Sequence, residues 1–434
     1  MGLKMSIHRM KRASILFIVL LLIPMSAVSA VEPVTAPALS GVEQAHAELW
    51  SKFIDDYGII HDYVGDLPTP EDCSLGKPNA IGWWSPIEDG PMFTGLYLPA
   101  ACERARRSGD LVDKDQARRL ARGLMKCASV SEVPGMIVRG VGTDGLCHYP
   151  LGSDDQTHPW FYGLHAYVMS DLPSADERRE IIAKMKTVAE VLESTGWRCP
   201  ADGAFKGQFR GGYRGHLFRD AARYLYLLRA MHEVTGDQIW LERYQTAQAA
   251  IPEHADKSRV EICAEGYARD REAIRHIDTH QLWIYVGSQA SLARLAAMET
   301  DEKLRSHYRA GLALNAKHAL NSLNVYNTFD NQDKKVFGNA DWRAVYNTWF
   351  PQKNQADAER LSRTGDKLKR GERKSYEQAR MQNPLAAAAI IALADDGTHR
   401  GRIEDAINHY DYSKLNMATF FFAECAAFAR KSDK

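Results

Sequence analysis

Carboxylates at two places in the chain have a context that suits acid–base chemistry. Asp89 stands in the sequence EDGP, directly before an apolar segment. Asp154 and Asp155 stand directly before a second apolar segment, which begins QTHPWFYG. Neighbouring carboxylates shift each other's protonation, and this can keep one of them protonated near neutral pH. We therefore take these three as candidate catalytic residues, one donating a proton and another acting as base or nucleophile.

The same carboxylates also have a purely structural interpretation. Asp is a common N-terminal cap of helices, and Pro91 suits a first helical turn. Asp154 and Asp155 could likewise satisfy N–H groups that the following helix leaves without partners. Capping and catalysis are compatible, because a carboxylate at the start of a helix can point into a cavity.

Other side chains are typical of a site that binds sugar. The adjacent Trp83 and Trp84 can stack on the apolar C–H face of a sugar ring. The loop FKGQFRGGYRGH carries Arg210, Tyr213 and Arg214, and guanidinium groups bind carboxylate or sulfate in a bidentate way. This loop indicates an acidic sugar, with a flexible hairpin and solvated arginines as the alternative. Further candidate binding residues in the polar loops and helix starts are His158, Tyr162, His216, His280 and Trp342.

The sequence HIDTH at residues 276–280 contains residue types that bind metals. No obvious further cluster of ligands elsewhere in the chain would complete a metal site. A sugar-binding or capping role is therefore favoured, and no metal site is predicted. The chain has no phosphate-binding loop, no GxSxG nucleophile turn and no HExxH motif. No cofactor is predicted.

Helical periodicity dominates the chain and must position these side chains. Short β segments are expected near 135–150 and 200–214, as hairpins over a cavity mouth. Helices are predicted at 41–57, 91–108, 113–130, 159–171, 175–195, 216–235, 237–250, 281–298, 301–321, 340–350, 377–395 and 416–430.

The predicted helices are of two kinds that alternate along the chain. One kind is aromatic and apolar, as in PWFYGLHAYVM, and the other is amphipathic and charged, as in SADERREIIAKMKTVAEVL. A helix that is apolar all round is buried, and one with a polar face lies outside. Alternation of inner and outer helices is what a closed ring of helical hairpins requires. A solenoid or an irregular bundle stays open as an alternative, although no repeat is visible.

On these features the chain resembles the (α/α)6 toroid superfamily of carbohydrate-active enzymes. That superfamily includes six-hairpin glycoside hydrolases such as the unsaturated glucuronyl hydrolases, some polysaccharide lyases and sugar epimerases. The resemblance covers nearly all of residues 41–430. It rests on hairpin number, on inner and outer alternation and on loop composition, without a family-specific motif. It implies an all-α toroid with its active site at one mouth.

The N-terminus predicts export. Residues 1–30 have a basic start, the apolar run SILFIVLLLI and small residues up to Ala30, as in a cleavable signal peptide. An uncleaved anchor is the alternative. Residues 31–40 are expected to form a loose leader and residues 41–434 a single catalytic domain. No later segment is long and apolar enough to span a membrane, and the mature protein is expected in the periplasm or outside the cell.

Charge and cysteine content narrow the class of protein. The chain has 55 basic and 55 acidic residues, so nothing in its charge indicates nucleic acid as a partner. Three cysteines, 102, 127 and 425, lie in apolar helical stretches and are interpreted as buried. One or two disulfides are possible among the loop cysteines, Cys73, Cys147, Cys199 and Cys263, with pairing and oligomeric state left open.

The function predicted from these observations is hydrolysis of glycosidic bonds in oligo- or polysaccharides with acidic sugars. Asp89 would face Asp154 or Asp155, with the stereochemical course left open. A polysaccharide lyase is the first alternative, in which a histidine and Tyr213 transfer protons and an arginine neutralises a uronate. A sugar epimerase is the second alternative, and a non-enzymatic glycan-binding protein is the third.

Overall fold

The computed structural model describes residues 40–364, 371–394 and 397–429. The predicted signal peptide, and the predicted leader up to residue 39, lie outside the described residues. Of the described residues 64% are helical and 3% are in strands, so the predicted all-α class is confirmed. Within the described part of the chain, no helix is long and apolar enough to cross a membrane.

The helices and strands are numbered in chain order. In the first half they are α1 (Gly41–Lys52), α2 (Pro70–Leu75), α3 (Gly90–Ser108), α4 (Leu111–Cys127), α5 (Asp154–Val168), α6 (Ala175–Ser194), β1 (Arg198–Pro200), β2 (Phe209–Gly212), α7 (Phe218–Thr235) and α8 (Gln238–Ala249). In the second half they are α9 (Arg259–Glu265), α10 (Val286–Met298), α11 (Glu302–Leu323), α12 (Trp342–Val345), α13 (Gln355–Ser362), α14 (Glu372–Glu377), α15 (Asn383–Ala392), α16 (Arg400–Asn408) and α17 (Phe422–Phe428).

Several predicted elements need correction. The hairpin expected near 200–214 is present as the antiparallel pair β1–β2, but residues 135–150 form turns and loop instead of strands. Of the helix predicted at 340–350, the single turn α12 forms, directly after a 3₁₀ turn at Gly338–Asp341. Helix α5 begins at Asp154, five residues before the predicted start, so Pro159 lies inside the helix and costs it one backbone hydrogen bond. The short helices α2, α9, α13 and α16 were not predicted.

Six helices of the described chain are buried along most of their length: α3, α5, α7, α10, α15 and α17. In α5 every residue from 156 to 168 is buried, and in α15 every residue is. By contrast α6 buries only a stripe that includes Ile181, Met185 and Leu192. Apolar surface on all sides therefore corresponds to the interior position that the sequence predicts.

The buried helices pack in an order that returns to its start. Helix α3 packs on α5, α5 on α7, α7 on α10, α10 on α15, α15 on α17, and α17 on α3. Glu424 of α17 accepts hydrogen bonds from Tyr97 (2.7 Å) and Arg104 (2.5 Å) of α3, which fixes the last of these contacts. The amphipathic helices pack outside, for example α4 on α3, α11 on α10 and α1 on α17.

Hydrogen bonds join the starts of these six helices, so all six begin at the same end of the protein. We call this set the hydrogen-bond ring. Its members are Gln156 Nε2 to Asp89 Oδ1 (2.6 Å), Arg223 Nη1 to Asp154 Oδ2 (3.1 Å), Arg223 Nη2 to Ile284 O (3.0 Å), Leu282 N to Asn383 Oδ1 (2.9 Å), Met417 N to Glu377 Oε2 (3.0 Å), Ala418 N to Asp62 O (2.9 Å) and Asp89 N to Asp62 Oδ1 (2.6 Å).

Helices α3 and α5 approach each other closely at two glycines. A Cβ atom on Gly95 would lie 2.0 Å from the carbonyl oxygen of Pro159. A Cβ atom on Gly163 would lie 2.8 Å from the Cα of Gly95. Both obstacles are backbone atoms, which cannot move aside as a flexible side chain can. The small residues in these helices therefore set their separation, and with it the spacing of Asp89 and Asp154 above them.

We expect Gly95→Ala to destabilise the protein by at least about 1–3 kcal/mol, because the added methyl group forces α3 and α5 apart. Thermal unfolding followed by circular dichroism would show this as a lower Tm. The matched control is Gly401→Ala in α16, where an added Cβ meets nothing within 4 Å. That control should leave Tm unchanged or raise it slightly, since Ala favours helix. Equal Tm values for the two variants would contradict the close contact.

All seven cysteines are free thiols in this structure, so none of the disulfides considered from the sequence is formed. Cys73 and Cys147 are the two thiols that lie side by side, within hydrogen-bonding reach. Cys102 and Cys127 are buried as predicted, whereas Cys425 is half-buried.

Candidate functional site

Asp89 lies at the N-cap position of α3, but its side chain does not cap the helix. Its Oδ1 accepts hydrogen bonds from Arg139 Nη1 (3.1 Å) and Gln156 Nε2 (2.6 Å). Its Oδ2 has no hydrogen-bond partner among the described residues, and 8% of the side chain is exposed. Asp89 and Pro91 thus occupy the N-cap and first-turn positions considered from the sequence, but the Asp89 side chain makes no capping hydrogen bond, and one carboxyl oxygen stays available to a ligand.

The environment of Asp89 favours its protonated form. Burial raises the pKa of this carboxyl to about 7, and the negative charge of Glu88 adds to the rise against the opposing effect of Arg139. Asp62, whose Oδ1 accepts a hydrogen bond from the backbone N–H of Asp89, also has its pKa raised, by burial and by the charge of Asp89. Near neutral pH, Asp89 can therefore donate a proton.

Asp155 has the opposite character. Its Oδ1 lies 2.7 Å from Arg223 Nη1 and 3.8 Å from Arg219 Nη1, and 28% of the side chain is exposed. Burial alone would raise its pKa, but attraction to Arg223 and Arg219 outweighs burial and lowers the pKa below the usual range for Asp. Asp155 is therefore ionised at neutral pH and is open to solvent.

Asp154 completes the acidic pair at the start of α5. Its Oδ2 accepts a hydrogen bond from Arg223 Nη1 at 3.1 Å, and the residue is buried. Burial and the charge of Asp155 raise its pKa. Because its side chain is 8% exposed against 28% for Asp155, Asp154 is better suited to positioning Arg223 than to contacting substrate.

Asp89 and Asp155 belong to the same site. Gln156, the residue after Asp155, donates a hydrogen bond to Asp89, and the charge of Asp155 contributes to the raised pKa of Asp89. Arg139 ties the two helix starts together, since it donates to Asp89 and to Ser153 Oγ (3.1 Å). One protonated and one ionised carboxyl thus lie on neighbouring helices.

A guanidinium group with free donors lies beside these carboxylates. Arg210 of β2 lies over the ring of Trp83, with 5.1 Å from its Cζ to the ring centre. Its Nη1 donates to Gly152 O (3.3 Å), while its buried Nε has no partner among the described residues. Burial, with the nearby charge of Arg139, lowers its pKa to about 10, so it stays charged at neutral pH.

Gly211 brings this strand against the acidic pair. It adopts a positive φ of 70°, and a Cβ on it would lie 2.1 Å from Asp154 Oδ1. A residue with a side chain is excluded here both by the backbone conformation and by space. The glycine therefore allows Arg210 to approach Asp154 and Asp155.

Several residues of the site were missed from the sequence. Arg219, Asp220 and Arg223 lie on α7, and burial raises the pKa of Asp220 to about 7. Their spacing places charges on one face of an otherwise apolar helix. This pattern could have predicted charged groups at an interior site. Arg139 lies in the loop before α5, where no sequence pattern marks it.

Two of the predicted binding residues are engaged in packing near the site. Trp84 stacks on Tyr346, with ring centres 5.7 Å apart, and its Nε1 donates to Ser362 O (2.8 Å). Trp342 is buried and donates its Nε1 to Asp66 O (2.7 Å). Both rings support the outer loops and lie apart from the hydrogen bonds that hold the carboxylates.

Two more predicted residues are inside the protein. His158 is buried, and its Nε2 is 2.7 Å from Ser291 Oγ; burial lowers its pKa well below the usual value. Tyr213 is buried, and its hydroxyl has no partner among the described residues. Burial raises the pKa of Tyr213 well above its usual value, so it is a poor base.

Among the described contacts, the remaining predicted residues make no hydrogen bond or ion pair with the carboxylates. Tyr162 lines a cavity formed by the other ends of the buried helices. Arg214 is exposed, and the ring of His216 lies 6.3 Å from that of His254. His280 is exposed and stacks on His276 at 4.8 Å.

No metal site is found in the part of the chain that the structure describes. Asp278, in the middle of the HIDTH sequence, is held by Arg271 through two hydrogen bonds of 3.0 and 3.2 Å.

Comparison with known proteins assigns no family. The chain matches no family model, no curated protein and no solved structure. The geometry of the site therefore carries the functional proposal alone.

Proposed function

We propose that this protein is a glycoside hydrolase that acts on oligo- or polysaccharides containing acidic sugars. The observation that carries the proposal is the pairing of Asp89 with Asp155. Asp89 is protonated near neutral pH and has a free oxygen, while Asp155 is ionised and partly exposed. Glycosidic hydrolysis needs one carboxyl group in each of these states.

We also propose that the helices form an (α/α)6 toroid. The cyclic packing of six buried helices, with amphipathic helices outside them, supports this arrangement. The hydrogen-bond ring supports it further, because it gathers the starts of all six buried helices at one end. The predicted signal peptide supports the proposal that the enzyme is exported.

In the proposed reaction, Asp89 Oδ2 donates its proton to the glycosidic oxygen as the bond to the sugar breaks. Asp155 stabilises the positive charge that develops on the sugar ring. It then removes a proton from the attacking water, or attacks the anomeric carbon itself. Arg223 and Arg219 keep Asp155 ionised for this role.

Trp83 and Arg210 supply the proposed preference for an acidic sugar. The indole ring can stack on the sugar's C–H face, and the guanidinium group next to it can bind a carboxylate or sulfate with its free N–H groups. Elimination by a lyase is less well supported, since Tyr213 is buried and a poor base.

The proposal is tested by incubating the purified protein with a panel of uronic acid oligosaccharides. Reducing ends and the ultraviolet absorbance of 4,5-unsaturated uronates are followed together. New reducing ends without a rise in absorbance support hydrolysis. A rise in absorbance would replace hydrolysis by elimination. A fall in absorbance on unsaturated substrates would identify an unsaturated uronyl hydrolase.

The pH dependence of kcat/KM should report the protonation of the proton donor, Asp89. Asp89 is protonated below its pKa of about 7 and loses its proton above it. We therefore expect kcat/KM to fall about tenfold for each pH unit above about 7. Asp155 should cause no loss between about pH 5 and 7, because its lowered pKa keeps it ionised there. Activity that rises through pH 7 would contradict the assignment of Asp89 as the acid.

A further inference from the structure

A cavity lies towards the other ends of the buried helices, and its lining does not include the carboxylates. Its volume is about 1440 Å³, and it is lined by residues of α3, α5, α10, α15 and α17. Its lining begins at Leu96 on α3 and Tyr162 on α5, each about two turns beyond the carboxylate on the same helix. Between the two sites, Phe93 packs on Trp283 (6.0 Å between ring centres) and on Phe421 (5.3 Å). Phe93 lies on α3 between Asp89 and Leu96, about one turn from each.

The wall of the cavity is largely small and apolar. Ala100, Ala166, Ala290 and Ala389 contribute to it from four different helices. The small side chains leave the space that aromatic residues fill elsewhere in the interior. A sugar placed here would leave most of its hydroxyl groups without hydrogen bonds, which costs free energy. An alkyl chain would gain from burial against the same wall.

Arg294 lines this wall and makes no direct ion pair among the described residues. Arg294 of α10 is half-buried, and Glu233, the carboxylate whose charge acts on it, lies more than 4.0 Å away and is 2.8 Å from His165 Nε2 instead. The hydroxyl of Tyr162 lies beside its guanidinium group. Two acidic residues lie at the edge of the cavity: Glu103 is paired with Arg106 (2.6 Å) and Arg107 (2.7 Å), and Asp171 is exposed to solvent. The cavity therefore offers a cation to an anionic ligand.

We propose that this cavity binds a fatty acid. Its carboxylate pairs with the guanidinium group of Arg294 and accepts a hydrogen bond from Tyr162, and its alkyl chain lies along the alanine wall. Lys114 at the edge adds a second positive charge. The volume exceeds that of common small-ligand pockets, about 300–1000 Å³, so a long chain fits. The inference is independent of the proposed hydrolysis, because it uses none of its residues.

The first test is isothermal titration of the purified protein with dodecanoate below its micelle concentration. We expect saturable binding of one dodecanoate per chain. Dodecanol, which has the same chain without the charge, should bind at least about tenfold more weakly. Glucuronate, which has the charge without the chain, should not displace dodecanoate, even where it binds beside Arg210. Absence of saturable dodecanoate binding, or equal affinity for dodecanol, would overturn the proposal.

Substitutions in the cavity test where dodecanoate binds. Arg294→Gln should weaken dodecanoate binding at least about tenfold, and Arg294→Lys should weaken it less. Ala297→Trp, at an exposed position of the cavity edge, should obstruct entry without disturbing the core. The matched control is Arg122→Gln, an exposed arginine on α4 outside the cavity, which should bind as the wild type does.

Circular dichroism confirms that each variant is folded before titration. Undiminished binding by folded Arg294→Gln and Ala297→Trp would overturn the assignment to this cavity. Equal weakening by Arg122→Gln would also overturn it, because binding would then reflect general attraction of the anion to positive side chains on the surface.

Discussion

Replacing Asp89 by Asn is expected to lower kcat/KM on the substrate by a factor of about 10²–10⁴, because the amide has no acidic proton to donate. The fold should survive, since the amide oxygen can still accept the hydrogen bonds of Arg139 and Gln156. Initial rates of reducing-end formation measure the loss, and circular dichroism checks the fold. Asp155→Asn should cause a loss of similar size, because it removes the ionised partner.

The matched control for both variants is Asp115→Asn. Asp115 lies on the outer helix α4 with 74% of its side chain exposed, and its ion pair with Arg118 is a surface pair. The Asp115→Asn variant should have the activity of the wild type. If Asp89→Asn kept full activity while Asp220→Asn lost it, the proton donor would be Asp220, the other carboxyl whose pKa burial raises to about 7.

The largest expected effect on stability follows from Arg223→Met. Arg223 is 1% exposed and pairs with both Asp154 and Asp155. Removing it leaves a buried carboxylate without its partner, which costs about 3–5 kcal/mol in other proteins. We expect the free energy of unfolding in urea to fall by about that amount. Arg223→Lys should retain only part of the free energy of unfolding that Arg223→Met loses. An ammonium group lacks the planar set of donors with which Arg223 binds two carboxylates and the carbonyl of Ile284.

A compensating variant separates lost charge pairing from lost packing. Arg223→Met combined with Asp154→Asn and Asp155→Asn removes the unpaired charges and should be more stable than Arg223→Met alone. Arg118→Met serves as the control, since its surface pair with Asp115 is worth less than about 1 kcal/mol. An unchanged free energy of unfolding for Arg223→Met would show that the buried pair contributes no net stability.

The sequence was informative where one helix could be judged alone. Asp89, Asp154 and Asp155 stand out because each precedes a segment that is apolar all round. The interior position of α5 and the surface position of α6 follow from their composition. The start of a helix and the burial of its faces depend on residues a few positions apart in the chain. The periodicity of the sequence therefore predicts them directly.

The sequence was less informative where the register between helices decides the environment. Arg223 meets Asp154 only because α7 lies beside α5 with that alignment, and nothing local encodes it. His158 and Tyr213 look like binding residues because of their type, yet the packing around them buries both. The short helices α13 and α16 were missed for a different reason, since eight or nine residues give too few turns for a clear period.

The closed path of the hydrogen-bond ring has a consequence for motion. A helix start within it cannot loosen alone, because doing so breaks hydrogen bonds to the neighbours on both sides. The backbone N–H groups of Asp89, Leu282, Met417 and Ala418 should therefore exchange with deuterium together, at the slow rate of a cooperative opening. Access for a large ligand must then be controlled by the outer loops, such as the one that carries Arg210, while the floor of the site stays rigid.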